Sequence, residues 1–267
     1  MKLWRFIMAM EFRKILAYRS DFWITFLGQT FIQLLIARAL WQDVFEARGE
    51  STLNGFTLGT MTLYYLIVPV GSKILTGENV GFISREIYDG TFTRYLIYPL
   101  SFLEYKTLTY LTHSLFYGLH LVFIFTVYHL VFDPGALGPA AFSNLFLGVG
   151  VYLLAALAYV MMATAIELLA LWVENIWSLM VMLRFFVFFF GGSFIPLDFF
   201  PAWALGLLQY TPFPYMVNLP AKTIMGLLSP EKILLGAVVL IGWTVAFRVT
   251  VSLLWKRGQL GYTGAGV

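Results

Sequence analysis

The sequence predicts an all-α integral membrane protein with six transmembrane helices. Hydrophobic residues make up 60% of the 267 positions and aromatic residues 18%, whereas charged residues make up only 12%. Soluble domains carry about 25% charged residues. A soluble globule of this size leaves about a third of its unfolded surface in water, so it could not hide this much apolar surface. The predicted solvent is therefore lipid, which excludes a cytosolic enzyme, a secreted module and a disordered tail.

The chain begins with a predicted amphipathic helix over residues 1–21. On a helical wheel its apolar side holds Leu3, Trp4, Ile7, Met8 and Ile15, and its basic side holds Lys2, Arg5 and Arg13. Such a pattern is typical of a helix that lies along a membrane interface. Glu11 and Lys14 interrupt the apolar side. No small-residue cleavage pattern follows a short apolar core, so a removable signal is not predicted.

Six stretches are long and apolar enough to cross about 30 Å of hydrocarbon, which takes about 20 residues. They are Phe22–Gln42, Gly55–Leu75, Thr107–Phe132, Phe142–Val173, Ile176–Ile195 and Ile233–Trp255. An even number puts both termini on one side. The fourth stretch is long enough for about 48 Å of helix. It is therefore expected either to project beyond the bilayer near Trp172 or to bend at Gly148 and Gly150.

The basic residues predict the orientation. With the N-terminus inside, the inner segments hold ten of the 17 Lys and Arg residues and the outer segments hold three, the other four lying within spans. Lys and Arg accumulate in cytoplasmic loops, so both termini are predicted to be cytoplasmic. The same placement accounts for the net charge of +3, so no nucleic-acid partner is predicted.

The inner loop between the second and third spans, residues 76–106, is predicted to form two short helices. Gly90 is expected to end the first, Thr91 to cap the second and Pro99 to stop it. The candidate contact residues are Ile83, Arg85, Glu86, Ile87, Tyr88, Asp89, Gly90, Phe92, Arg94, Tyr95 and Leu96. This mixture of polar and aromatic residues favours a docking surface. The alternative is a helix that rests on lipid headgroups.

The segment before the last span, residues 196–231, is apolar but repeatedly broken by proline. Its candidate residues are Pro196, Pro212, Phe213, Pro214 and Tyr215. Irregular backbone at membrane depth is tolerated where protein covers it, so short re-entrant helices are expected here. A compact outer cap is the alternative.

Two charges within predicted spans are candidates for function, because charges in a bilayer are costly. Glu167 and Arg184 are placed symmetrically about the turn at Glu174 and Asn175, so in a helical hairpin they would lie at similar depth, about 12 Å above the turn. We expect them to pair. The pair could lock the two helices or line a substrate path, or Arg184 could instead extend to water.

Catalytic motifs are missing from the sequence. It has no G-x-x-x-x-G-K-[ST] phosphate loop, no H-E-x-x-H, no G-x-S-x-G and no Cys, so no catalytic residue and no metal site are predicted. His113 and His120 share a helical face and could hold a metal or relay protons, but polar packing between helices is the simpler interpretation. His129 is expected near the outer interface.

On these residues the chain resembles the permease subunit of a type-2 ATP-binding-cassette (ABC) transporter. The similarity rests on Tyr18–Phe22 at the entry to the first span, on Glu86–Pro99 in the inner loop, and on Pro212–Tyr215 followed by Pro220. It covers nearly the whole chain, which would form a single transmembrane domain over residues 1–267. The similarity is closest to small permeases that work with a separately encoded ATPase.

The resemblance implies a mechanism. Two permease chains, identical or related, would combine with two ABC ATPase subunits, which hold ATP and Mg²⁺, so this chain would bind no cofactor. The ATPases would push on the 76–106 region and, less strongly, on Glu174 and Asn175, while residues 196–231 shape an outer gate. The second and fifth spans would line the path of an amphipathic or lipid-like export substrate, since the fifth carries Met180, Met182 and Phe185–Phe190. The cell (inner) membrane is the expected location, with lipid as a further partner.

Two other functional classes stay open on the sequence. One is a stand-alone secondary transporter that couples ions through Glu167, Arg184 and the histidines. The other is an intramembrane enzyme, for which no nucleophile and base are recognised.

Overall fold

The computed structural model describes residues 2–17, 19–77, 83–132, 138–173 and 175–262, and no β-strand occurs among them. Helices account for 83% of the structure, which confirms the all-α class. The first half contains α1 (Lys2–Ala17), α2 (Arg19–Arg48), α3 (Leu58–Thr76), α4 (Ile83–Tyr88), α5 (Arg94–Ile97) and α6 (Phe102–Phe132). The second half contains α7 (Pro139–Glu167), α8 (Trp177–Phe190), α9 (Ala202–Leu208), α10 (Phe213–Met216), α11 (Asn218–Ile224) and α12 (Pro230–Gly261).

Four helical segments in the described part of the chain are long and apolar enough to cross a membrane. They are Leu58–Thr76, Phe102–Leu130, Pro139–Leu171 and Pro230–Gly261, which match the second, third, fourth and sixth predicted spans. The first and fifth predicted spans are also helical, as α2 and α8, but α8 has only 14 residues. The chain is therefore a multi-pass membrane protein, and the count of six spans stays a prediction.

The fourth span is α-helical without interruption through Gly148 and Gly150. Its geometry changes only after Glu167, where a 3₁₀ turn continues the helix from Leu168 to Leu171. The combined segment of 33 residues is the longest of the four apolar segments. Projection of this segment beyond the bilayer near Trp172 stays a prediction.

Helix α7 lies at the centre of the fold and packs against α3, α6, α11 and α12. Small side chains on its buried faces allow the neighbouring helices to approach closely. Gly71 on α3 meets this helix so tightly that an added Cβ would lie 2.1 Å from the ring of Tyr152. The α3–α7 contact therefore requires glycine at position 71.

Helix α1 packs against α6 by the side that holds Ile7 and Glu11. Ile7 and Glu11 are buried, and the rings of Phe12 and Phe116 meet edge to face at 5.8 Å. Glu11, interpreted from sequence as an interruption of the apolar side, is one of the least exposed residues of the helix because its carboxylate meets polar groups on α1 and α6. Tyr18 and Glu174 lie outside the described residues, as do the side chains of residues 19–27 and of Tyr88.

Candidate functional site

Residues 83–101 form the described core of the 76–106 region. Gly90 adopts a left-handed conformation (φ 71°, ψ −3°) directly after α4, as glycine does readily at a helix end. The Thr91 hydroxyl donates to the carbonyl of Glu86 at 3.3 Å, so it closes α4 instead of capping the second helix as predicted. Helix α5 starts after Thr93 without a side-chain cap and ends before Pro99, with Tyr98 extended.

Phe92 anchors this region to the rest of the protein. Its ring is fully buried among four other rings whose centroids lie 5.4–5.7 Å away. These neighbours are Tyr95, Phe102, Trp255 and Tyr262. Trp255 also stacks on Phe102 at 4.8 Å, so the end of α12 and the start of α6 form the walls of the pocket. The segment is thus held rigidly against two long helices.

The opposite side of the segment is exposed and partly apolar. Ile97 is 78% exposed and Leu96 49%, and Tyr98 beside them is also exposed. Arg85 and Asp89 on α4 form an exposed ion pair at 3.6 Å. Ile83 and Ile87 point the other way and are buried. The sequence-predicted residues thus divide into an inward anchor and an outward face.

A polar cluster lies behind this segment. Arg94 pairs with Glu86, joining α5 to α4, and its guanidinium carbon lies 5.0 Å from the Tyr95 ring centroid. On α1, the Lys14 ammonium lies 2.6 Å from Glu11, whose other carboxylate oxygen is 3.8 Å from Nε2 of His113. The cluster surrounds a cavity of about 230 Å³ that α1, α4, α5 and α6 share. Charged contacts therefore connect the first helix, the 76–106 region and the third span.

Tyr95 contributes to this cluster from α5. Burial raises the pKa of its phenol above the ordinary value, because the phenolate would be poorly solvated there. The hydroxyl instead accepts a hydrogen bond from the Arg94 guanidinium at 3.2 Å. Tyr95 is thus a neutral acceptor that keeps Arg94 oriented toward Glu86.

Glu167 ends α7 in full burial and forms an ion pair with Lys106 on α6. The sequence analysis counted Lys106 among the inner-loop basic residues, but it lies within the first turns of the third span and is itself buried. The predicted pairing of Glu167 with Arg184 stays a prediction. Arg184 is exposed on α8 in the single chain.

The turn between α7 and α8 is described only in part, because Glu174 lies outside the described residues. Asn175 is exposed, and its side-chain carbonyl accepts the backbone N–H of Trp177 at 2.8 Å. This bond satisfies one of the unpaired donors at the start of α8. Asn175 therefore fixes where the fifth helix begins.

The 196–231 region consists of a 3₁₀ turn at Leu197–Phe199 and the short helices α9, α10 and α11. Helix α11 packs on α7 at Gly148, where an added Cβ would lie 2.3 Å from Ile224. Gly148 is nine residues into α7, so the contact lies about 14 Å along that helix. The re-entrant interpretation stays a prediction.

Hydrogen bonds hold this region to the second span and the α2–α3 loop, and an ion pair joins two of its own parts. The Tyr64 hydroxyl on α3 lies 3.4 Å from the side-chain carbonyl of Asn218 on α11, and it donates to the carbonyl of Gly192, just before the region, at 2.7 Å. Lys222 on α11 lies 2.6 Å from the carboxylate of Asp198, whose backbone carbonyl accepts from the Asn54 amide at 3.1 Å.

The five predicted gate residues lie within this packed region. Pro196 and Pro212 are buried, Phe213 contacts Phe186 on α8 at 6.0 Å, and the Tyr215 hydroxyl donates to the carbonyl of Gln209 at 2.9 Å. Pro214 follows Phe213 in the first turn of α10 and is half-buried. The gate residues thus tie the short helices to α8 and to one another.

A cavity of about 530 Å³ lies between α2, α3 and the end of α8 with the segment that follows it. Its described lining is Thr30, Gln33, Ile36, Ala37, Leu40, Trp41, Tyr65, Val68, Pro69, Ser72, Lys73, Thr76, Phe188, Ser193, Phe194 and Ile195. The exposed side chains of Ile36 and Phe194 leave it open on one side. A cavity of this size is typical of small-molecule sites.

The histidines occupy structural positions. Nδ1 of His120 lies 2.7 Å from the carbonyl of Phe116, and Nδ1 of His129 lies 3.0 Å from that of Phe125. His129 is buried. Within the described ranges no three His, Cys, Asp or Glu side chains are grouped as a metal would require.

Comparison with known families assigns the protein. A family model for ABC-2 family transporter proteins matches residues 25–266, nearly the whole chain. The chain belongs to the ABC-2 transporter family. This family membership confirms the resemblance to a type-2 ABC permease and indicates a membrane subunit that works with an ABC ATPase. No curated protein and no solved structure matches the chain.

Sequence reasoning missed two members of the polar cluster of this ABC-2 protein. Lys106 was assigned to a loop, and Glu11 was treated as a flaw in an amphipathic pattern. The signal that could have found them is their charge within otherwise apolar helical surroundings, since such residues are costly unless paired. The partner of Lys106 could not be read from sequence spacing, because Glu167 lies far along the chain from it.

Proposed function

We propose that the chain is the membrane-spanning permease of an ATP-driven ABC exporter for an amphipathic or lipid-like substrate. It has six spans and both termini in the cytoplasm, and it lies in the cell (inner) membrane. It binds no cofactor and catalyses no reaction, because ATP and Mg²⁺ are held by a separate ATPase. Membership of the ABC-2 family supports the permease role.

The observation that carries the proposal is the contrast between the two sides of residues 83–101. Phe92 is fully buried, whereas Ile97 and Leu96 expose large apolar surfaces. Exposed apolar patches rimmed by polar residues mark interaction sites. A patch on a rigidly anchored segment can both bind an ATPase and pass its motion to α6 and α12. The turn at Glu174 and Asn175 supplies a second, weaker contact.

A second permease chain, identical or related, covers α8. This short helix exposes Phe185 and Phe188, and it also exposes Arg184. Large apolar side chains that stay exposed on one face of a short helix form a surface against which a second chain can pack. Two permeases and two ATPases complete the transporter.

The substrate path follows the 530 Å³ cavity. Its lining comes from α2, from α3 and from Phe188–Ile195, which are parts of the first, second and fifth predicted spans. An apolar wall with a few polar groups suits an amphipathic substrate. The packed helices of the 196–231 region close the path on the outer side.

Co-purification with the ABC ATPase encoded beside the permease tests the docking surface. We expect wild-type permease in detergent to retain the ATPase and Ile97→Asp to lose it with unchanged thermal stability. Tyr210→Asp is the matched control, because Tyr210 is 75% exposed but follows α9, on the proposed outer side. Retention that is equal in wild type and Ile97→Asp would contradict this docking surface.

Reconstitution separates the transporter classes. Liposomes that contain both permease and ATPase are expected to move an amphipathic dye only when ATP is present. Transport by the permease alone, driven by an ion gradient and abolished by Glu167→Gln, would instead establish the ion-coupled alternative.

A further inference from the structure

The cavity between α2 and α3 is polar at one end and apolar at the other. The Trp41 and Tyr65 rings, 6.3 Å apart, fix which residues of these antiparallel helices face each other. Gln33 lies eight residues before Trp41 on α2, and Lys73 lies eight residues after Tyr65 on α3. Eight helical residues rise about 12 Å, so Gln33 and Lys73 lie at the same level, about 12 Å from the two rings. Both line the cavity. One end of the cavity therefore presents an amide and an ammonium group, and the other presents aromatic rings.

Further polar groups gather at the Lys73 end. Thr30, Ser72 and Thr76 line the cavity there, and the hydroxyl of Ser72 lies 3.4 Å from that of Ser193. Beyond them Ile36, Leu40 and Val68 make the remaining wall apolar. The cavity thus matches the polarity of an amphiphilic ligand whose polar head lies at the Lys73 end.

Lys73 gives this end its charge. Among the described lining residues it is the only ionisable one that is charged at neutral pH, and no ion pair is formed by its half-buried ammonium within the described part of the chain. A cation in an apolar wall is stabilised by an anion brought close to it. An uncharged or cationic head group would leave the free-energy cost of the partly buried Lys73 ammonium uncompensated.

We propose that this cavity selects amphiphiles that carry a single anionic group, with the anion held by Lys73 and Gln33 and the apolar body against Trp41 and Tyr65. The inference deepens the proposed transport function, on which it rests for regarding the ligand as cargo. It names the substrate class as anionic and makes Lys73 the specificity-determining residue. Lipids or solutes with a carboxylate or a phosphate at one end share this chemistry.

Tryptophan quenching tests the proposal on the full chain in nanodiscs of zwitterionic lipid, without ATPase or ATP. The probes are mid-chain dibrominated stearate and its uncharged methyl ester, whose bromines quench Trp41 when the head lies at Lys73. We expect wild type to bind the acid at least about tenfold more tightly than the ester, as a charge-assisted bond provides. Trp41→Phe should remove the quenching.

Matched variants assign the preference to Lys73. Lys73→Met should bind acid and ester equally, Lys73→Arg should keep the preference, and Lys232→Met, an exposed lysine on α12, should match wild type. Ala37→Phe, which fills the cavity, should weaken both probes and leave their ratio unchanged. If Lys73→Met does not fold, Gln33→Leu and Ala37→Phe carry the test.

The proposal is overturned if wild type binds acid and ester equally, if the preference survives in Lys73→Met, or if Ala37→Phe changes neither affinity. These outcomes do not depend on the ATPase. A permease that retains its ATPase but shows no preference for the acid overturns only the anionic selectivity. Acid selectivity without ATPase retention overturns the transport proposal instead.

Discussion

The ammonium of Lys106 on α6 pairs with the carboxylate of Glu167 at the end of α7, and both groups are buried. A buried pair is costly to form, but removal of one partner leaves an uncompensated charge. Helices α6 and α7 are therefore joined at the same level as the polar cluster around Glu86 and Arg94.

Neutralising one partner should destabilise the protein strongly. Lys106→Met is expected to cost about 3–5 kcal/mol, because Glu167 loses its buried cation. The midpoint of thermal unfolding in detergent measures this loss. Lys106→Met combined with Glu167→Gln should recover part of it, and the exposed Lys232→Met should have no effect. A single variant as stable as wild type would show that the pair contributes nothing.

Truncation of the buried ring at position 92 should loosen residues 83–101. Phe92→Ala is expected to cost about 3–5 kcal/mol, since it empties a pocket walled by Trp255 and Phe102. The midpoint of thermal unfolding measures the loss of stability, and the rate of amide hydrogen exchange over residues 83–101 should rise. Phe146→Ala on the exposed side of α7 serves as the control. Unchanged exchange in Phe92→Ala would refute the anchoring role.

Two glycines on α7 offer a closely matched comparison. Gly148→Ala should cost about 1–3 kcal/mol, because its Cβ would lie 2.3 Å from Ile224 and 3.0 Å from the carbonyl oxygen of Pro220. Gly150→Ala meets nothing within 4 Å and should be neutral or up to about 1 kcal/mol stabilising. The midpoints of thermal unfolding of the two variants test this difference. Equal midpoints would mean that α11 does not pack at Gly148.

The contact between Asp198 and Lys222 should hold the short helices of the 196–231 region together. Asp198→Asn is expected to cost about 1–3 kcal/mol, because a charge-assisted bond at 2.6 Å in a largely buried site is lost. Limited proteolysis after Lys222, together with thermal unfolding, reports the change. The exposed Glu231→Gln is the control. Resistance to protease equal to wild type would argue against this role.

The sequence predicts those features that depend on local chemistry. Apolar length predicts the four long helices, and Gly90 predicts the end of α4 because its left-handed backbone disfavours side chains. The partner of a buried charge depends on tertiary packing instead. Nothing in the spacing of Lys106 and Glu167 indicates that α6 and α7 bring them together.

The protein neighbour of the first helix could not be predicted for the same reason, and its place at the membrane interface stays a prediction. The apolar side of the helix was interpreted as facing lipid, but its buried residues pack against α6. There the Glu11 carboxylate lies 3.8 Å from His113, and the Phe12 ring packs against that of Phe116. A hydrophobic pattern shows which side is apolar but does not identify a protein neighbour that tolerates a carboxylate.

The ring pocket around Phe92 also determines where motion can go. Trp255 and Tyr262 come from the last helix, and the Tyr262 hydroxyl reaches the carbonyl of Gly90 at 3.4 Å. A push on residues 91–93 must either break these contacts or tilt α12 as a lever. If residues 83–101 bind an ATPase as proposed, α12 would be the first long helix of the permease to move, and a probe at the start of α12 should report each cycle of ATP hydrolysis.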